Sequence, residues 1–117
     1  MNSSGLKERV RKFAHRCVRL ALTLPDTPLE RQIKSQLIRC SSSAAANYRA
    51  ACIAQSKPSF IAKLSVVAEE TDESCFWLQF ILDEELMTVK QVKSLLDEGE
   101  ELTAIFLSSR ITARKSD

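Results

Sequence analysis

An all-α fold, an up-down-up-down antiparallel bundle of four helices, follows from three features of the 117-residue sequence. It holds only 2 Gly and 3 Pro, too few for a β-rich chain with many tight turns. Ala, Leu, Ser, Glu, Lys and Arg, mostly good helix formers, dominate it. Its apolar residues recur at three- and four-residue steps along four segments separated by short breaks. Segments of this length joined by short connections pack most simply as antiparallel neighbours around one core, and 117 residues suffice for one such domain, 1–117.

The first helix is expected over residues 5–24, on the stripe Leu6, Val10, Phe13, Cys17, Leu20 and Leu24. Pro25, Asp26-Thr27 and Pro28 end it. Thr27 is a good N-cap for the second helix, with Pro28 at the first position and Glu30 three residues on, a capping-box arrangement. That helix is expected over 28–55, on Leu29, Ile33, Leu37, Cys40, Ala44, Asn47 and Ala51. Its side chains shrink along the stripe and Ser41 to Ala46 is all Ser and Ala, which lets another backbone come close. A Ser-rich linker is the competing reading of that run. Asn47 on the stripe would need hydrogen-bond partners, a way to fix helix register.

Ser56-Lys57-Pro58-Ser59 opens the third helix, expected over 57–85 on Phe60, Leu64, Val67, Thr71, Cys75, Leu78 and Leu82. Thr88 caps the fourth, expected over 89–113 on Val92, Leu95, Leu96, Gly99, Leu102 and Phe106. Gly99 costs about 1 kcal/mol relative to Ala in a helix interior, so its place on the apolar stripe points to close packing.

Charge is divided between the halves of the chain. The first 63 residues hold twelve Lys/Arg against three Asp/Glu and the last 54 hold five against twelve, inside an overall +2. On the first helix Arg9, Lys12, Arg16 and Arg19 form one stripe, with Lys7 and Arg11 beside it and His15 between; only Glu8 interrupts. The second helix adds Arg31 and Arg49 on one azimuth, about 27 Å apart at about 1.5 Å per residue. Arg9, Arg11, Lys12, Arg16, Arg19, Arg31 and Arg49 are therefore candidates for contact with RNA or DNA phosphates. A solvated face, or one that pairs with acidic helices of the same or another subunit, is the alternative. Phe13, the nearest aromatic, belongs to the core stripe, so base stacking is not indicated.

The third helix is apolar on two sides. Phe76, Trp77 and Phe80, with Val66 and Ile81 nearby, lie off its core stripe among Glu69, Glu70 and Glu73. Aromatic anchors ringed by charge describe an interface, so Phe76, Trp77 and Phe80 are expected to mediate homo-oligomerisation.

Catalytic and metal chemistry lack the residues they need. The single histidine, His15, has Lys12 three positions before it, which removes the di-iron pattern and a two-His zinc site. Cys17, Cys40, Cys52 and Cys75 have no paired spacing and read as buried thiols. No glycine-rich phosphate loop exists. The expectation is a protein that is not an enzyme and carries no cofactor. With no apolar run long enough to span a bilayer and no leader-like start, it is expected in the cytoplasm and away from membranes.

A family resemblance enters through Gln36-Leu37-x-Arg39, Ala46-Asn47-Tyr48-Arg49, Ser56-Lys57, Phe60-Ile61-x-Lys63-Leu64-Ser65, Glu70, Glu73-Ser74 and Trp77-Leu78. Phe13-Ala14, Leu24-Pro25, Leu96 and Glu101-Leu102 agree with it. Together they resemble the four-helix-bundle family also called the 23S rRNA intervening-sequence proteins. That resemblance implies a small bacterial bundle assembled as a homopentameric barrel, some members being encoded within insertions in large-subunit rRNA genes. A related branch, the accessory variability proteins of diversity-generating retroelements, binds nucleic acid and a reverse transcriptase, which implies both as partners. Asn47, Tyr48 and Arg49 match the family's Ala-Asn motif, and Lys63, Glu70 and Trp77 its third-helix pattern. Ala50, Ser59 and Cys75 stand where the family often carries charged residues.

Overall fold

The computed structural model describes residues 2–116 as four antiparallel helices: α1 (Ser3–Leu22), α2 (Pro28–Ala51), α3 (Lys57–Asp83) and α4 (Val89–Lys115). They form a rod of 49 × 21 × 20 Å in which each helix packs on its neighbours in the chain and α4 returns to α1. α1 and α3 therefore occupy one diagonal of the bundle, and α2 and α4 the other. No helix is long and apolar enough to cross a membrane among the described residues.

Each helix start has a local cause. Asn2 accepts from the Gly5 amide at 2.8 Å and Ser56 from the Ser59 amide at 3.2 Å. Thr88 and Gln91 make a full capping box, the Thr88 hydroxyl accepting from the Gln91 amide at 3.3 Å and the Gln91 side chain accepting from the Thr88 amide at 2.9 Å. The capping box expected at Thr27 does not form: Thr27 has the extended backbone of an N-cap but no side-chain cap bond. Pro28 alone presets the turn.

The second helix stops at Ala51, four residues short of the expected 55. The Ile53 and Ala54 amides bond three residues back, to Ala50 and Ala51, which tightens the last turn and frees the chain to reverse before Ser56. The Ser41–Ala46 run is helix, not linker.

Several core positions differ from the sequence pattern: Leu20, Phe60 and Leu82, expected on the stripes, are only partly buried at the edge of the core. Tyr48, 5% exposed, takes the place expected for Asn47, and its ring packs 5.0 Å from Phe106. Asn47 is half-buried and donates to the Ser43 carbonyl and hydroxyl of its own helix at 2.9 and 3.1 Å. Positions 47 and 48 both follow Ala44 at helical spacing, and the larger ring wins the core. Glu30 is buried where Leu29 was expected, and Ile81 is fully buried where it had been placed on the outer arc of the third helix. The fourth-helix stripe, Val92, Leu95, Leu96, Gly99, Leu102 and Phe106, is buried throughout.

The middle of the core is small and polar rather than purely aliphatic. Ser41, Thr71 and Ser74 are fully buried beside Cys17, Cys40 and Cys75. Their hydroxyls are satisfied: Ser74 donates to the Glu70 carbonyl at 2.8 Å and lies 3.2 Å from Cys40 Sγ, and Thr71 lies 3.0 Å from Thr103, which bonds the Gly99 carbonyl at 2.8 Å. The backbones of α1 and α4 come close over only a short stretch. Phe13 bridges that wider seam and lies against Gly99.

Gly99 is required for that contact. A Cβ there would stand 2.7 Å from Cys75 Sγ and 3.0 Å from the Phe13 ring. Gly99→Ala is expected to destabilise the protein: forcing a methyl into this site costs about 1–3 kcal/mol, more than the roughly 1 kcal/mol of helix propensity gained. Urea unfolding of Gly99→Ala, Cys75→Ala and the double variant checks this, the double recovering part of the loss. At the other end of α3, Glu85 has φ 55 and sits in a Schellman turn, with Leu86 N bonded to the Ile81 carbonyl and Glu85 N to the Leu82 carbonyl, both at 3.0 Å. Glycine adopts that conformation without a Cβ penalty, so Glu85→Gly is expected to raise stability by about 0.5–1 kcal/mol in the same measurement.

Candidate functional site

The outward face of α1 carries the cations. Arg11, Lys12, His15, Arg16 and Arg19 surround a shallow concavity of about 380 Å³. A second concavity of about 470 Å³ runs along the α1–α2 seam, walled by Lys7, Glu8, Arg11 and Arg49 over a floor of Ala45 and Ala46. The Ser/Ala run on α2 makes this groove, since side chains this short cannot fill the seam to the surface. From Lys7 to Arg19 the face is about 18 Å long, comparable with five phosphates of one duplex strand at about 3.4 Å each.

Candidate residues divide by what holds them. Arg9 faces α4 rather than solvent, bonding both Glu98 oxygens at 2.8 and 2.7 Å and Glu101 at 2.9 Å. Those hydrogen bonds hold its guanidinium more firmly protonated than usual. Arg11 pairs with Glu8 on its own helix at 2.7 Å, and Arg31 with Asp26 at 3.2 Å. Arg31 lies at the start of α2, outside both concavities. Arg16 donates to the Ser94 hydroxyl at 3.1 Å. Lys12, Arg19 and Arg49 have no ion pair among the described residues.

Across the diagonal, α3 presents the aromatic face. Phe76 is 54% exposed, while Trp77 and Phe80 are half-buried against the core. The three rings form one cluster, their centroids 5.0 to 5.8 Å apart. Ala62, Val66, Glu69, Glu73, Phe76 and Phe80 follow one another at alternating four- and three-residue steps, an outward-facing seam of the coiled-coil kind.

Sequence reading left out the side chain that organises this face, Arg39 of α2. It bonds Glu70 at 3.2 Å and Glu73 more closely, and the Glu73 carboxylate accepts from Trp77 Nε1 at 3.2 Å. Arg39, Glu70, Glu73 and Trp77 all stand among the residues that carried the family resemblance. The signal was there: two carboxylates three residues apart on α3 suit one guanidinium on the adjacent helix.

The thiols are buried rather than poised. Burial pushes Cys40 up to about 11 and Cys75 up to about 12, and raises Cys17 further. Cys52 alone is partly exposed, at the end of α2. No group of three His, Cys, Asp or Glu side chains is placed to hold a metal ion among the described residues.

The Arg39 guanidinium, bonded directly, holds the Glu73 carboxyl below the usual 4.5 against a smaller opposing effect of burial, with Trp77 helping. A carboxyl so lowered stabilises the fold at pH above its unfolded value and loses that contribution as pH falls through its folded value. The chain has 1 Trp, so its emission reports on this link. A fluorescence transition with a midpoint below 4.5 is expected on acidification. Arg39→Ala should move that midpoint upward.

A family model described as 23S rRNA-intervening sequence protein matches residues 5–108. The fold is also similar to the crystal structure of a protein of unknown function from the S23 ribosomal protein family, from Bacteroides thetaiotaomicron VPI-5482. The TM-score is 0.85 at 30% identity, over 94% of this chain and 98% of that one. No curated protein matches. A match over this span, joined to the four-helix architecture, makes the chain a member of the 23S rRNA-intervening sequence protein family.

Proposed function

We propose that the protein is a non-enzymatic, self-associating bundle that contacts RNA or DNA phosphates through the cationic surface of α1 and the α1–α2 groove. One observation carries the reading: Lys12, Arg19 and Arg49 have no carboxylate partner among the described residues, while Arg9 and Arg39 are spent on ion pairs between helices. An unneutralised row of cations attracts a polyanion and has little means of reading bases. Lys7, Arg11, Lys12, Arg16, Arg19 and Arg49 form the contact surface; Arg9 is tied to α4, and Arg31 lies outside both concavities. Phe76, Trp77 and Phe80 form the oligomer interface, in keeping with the homopentamer that the family resemblance implies. The reading carries with it a cytoplasmic location, where the polyanion is.

The diagonal placement of the two faces favours one rival, a protein scaffold in which the cationic face of one copy meets Glu69 and the aromatic cluster of the next. Nucleic acid then has no part.

Binding to a labelled RNA and a labelled duplex DNA, measured at several salt concentrations, decides between them. The proposal expects affinity to fall linearly with log salt, by about 0.9 log units per log unit of salt for each duplex phosphate neutralised. Lys12→Glu with Arg19→Glu should abolish binding while leaving the mass from light scattering unchanged. Phe76→Ser with Phe80→Ser should reduce that mass. Loss of assembly in the Lys12/Arg19 variant, with no nucleic-acid binding by the native chain at low salt, is the signature of the scaffold.

A further inference from the structure

The cations of α1 do not form one band. At about 100° per residue, Lys12, Arg16 and Arg19 gather toward the α4 side of the helix, where Arg16 reaches Ser94. Lys7 and Arg11 gather toward α2, where Arg49 joins them. The concavities follow this division: Lys12, Arg16 and Arg19 border one, Lys7 and Arg49 the other, and only Arg11 borders both. Two cationic rows therefore flank the outer ridge of α1, about 10–12 Å apart, the diameter of a helix with its side chains.

Glu8 and His15 stand on the ridge between the rows, one on the rim of each concavity. Glu8 is exposed and accepts two hydrogen bonds from Arg11, at 2.9 and 2.7 Å. Those bonds, chiefly, hold its carboxyl below the usual carboxylate range, so the ridge carries a standing negative charge. It is the only carboxylate among the residues that line the two concavities. A single phosphate chain laid along the crest of α1 would run against it. Two chains, one on each row, pass on either side.

Nothing on this surface seats a row of bases. Phe13 is 1% exposed in the core, and Phe76, Trp77 and Phe80 belong to α3, across the diagonal. His15 is the one ring here, and a single imidazole cannot make the run of stacked bases by which single strands are held. A double helix offers what the two rows need, a backbone on each side of a groove. The major groove of B-DNA is about 12 Å wide, and A-form RNA has a wide, shallow minor groove.

We propose that the α1 surface takes a double helix, one backbone on each cationic row with the ridge over the groove between, and that Glu8 turns single strands away. The proposal rests on the reading of α1 as a phosphate-binding face and adds the class of polymer and the residue that selects it.

Fluorescence anisotropy of the full chain with RNA and DNA of one sequence, as single strands and as duplexes of about 12 base pairs, roughly twice the length of the face, tests it. Duplex is expected to bind at least about tenfold more tightly than either of its strands, and the comparison of RNA with DNA duplex tells which groove the ridge enters. Lys7→Gln with Arg49→Gln, at two exposed positions without ion pairs among the described residues, removes one row. Duplex affinity should then fall about tenfold and single-strand affinity about twofold or less. Glu8→Gln should raise single-strand affinity about fivefold and duplex affinity less than about twofold, while Glu8→Asp keeps the preference. Equal binding of strands and duplexes, or variants that shift both forms by the same factor, overturns the proposal and leaves the phosphate-binding face standing. No binding of any form at low salt overturns both.

Discussion

Phe13 lying against Gly99 is the contact on which the bundle depends. α1 and α4 are the chain's least intimate neighbours, and one aromatic ring fills the seam between them because the facing residue has no side chain. The Cys75 thiol leans on the same glycine from α3. Three helices thus register on one backbone position. The small side chains of α2, with buried Ser41, Cys40 and Ala44, let α1 and α3 settle close on either side. The polar middle of the core imposes geometry that oily side chains alone would leave loose, since each hydroxyl must find its acceptor.

Electrostatics follows from the same arrangement. A chain with a basic half and an acidic half could have cancelled its charge internally, and in two places it does. Arg9 ties α1 to α4 through Glu98 and Glu101, and Arg39 ties α2 to α3 through Glu70 and Glu73. Both arginines cross between adjacent helices, where a carboxylate is within reach. On the outer face of α1, Lys12 and Arg19 have no ion-pair partner among the described residues, so they stay in solvent. Position in the bundle, more than residue type, separates structural arginines from available ones.

Periodicity exposed most of this in advance. The α4 stripe is buried residue for residue, and the close approach at Gly99 could be read from a glycine on an apolar face. The errors share a cause. Asn47 and Tyr48, or Leu29 and Glu30, differ by one step on a helix, and a repeat of three and four residues cannot choose between them until the facing residue is known; Phe106 chooses Tyr48. Arg9 looked like part of the cationic stripe because a helical wheel does not show where the next helix stands. Arg39, present in the sequence only as part of the family resemblance, was left out of both faces for the same reason.

The diagonal relation of α1 and α3 has a consequence for any array built from copies of this chain. A contact that joins one corner to the opposite corner is polar, in the sense that every added copy points the same way and the row keeps two unlike ends. Twofold pairing cannot terminate such a row. Only a steady turn from copy to copy can bring the last onto the first, so closure would hinge on how far each surface is skewed from the diagonal, a few side chains' worth of tilt on either flank. The spread of the cationic surface from α1 toward α2 is a skew of this kind.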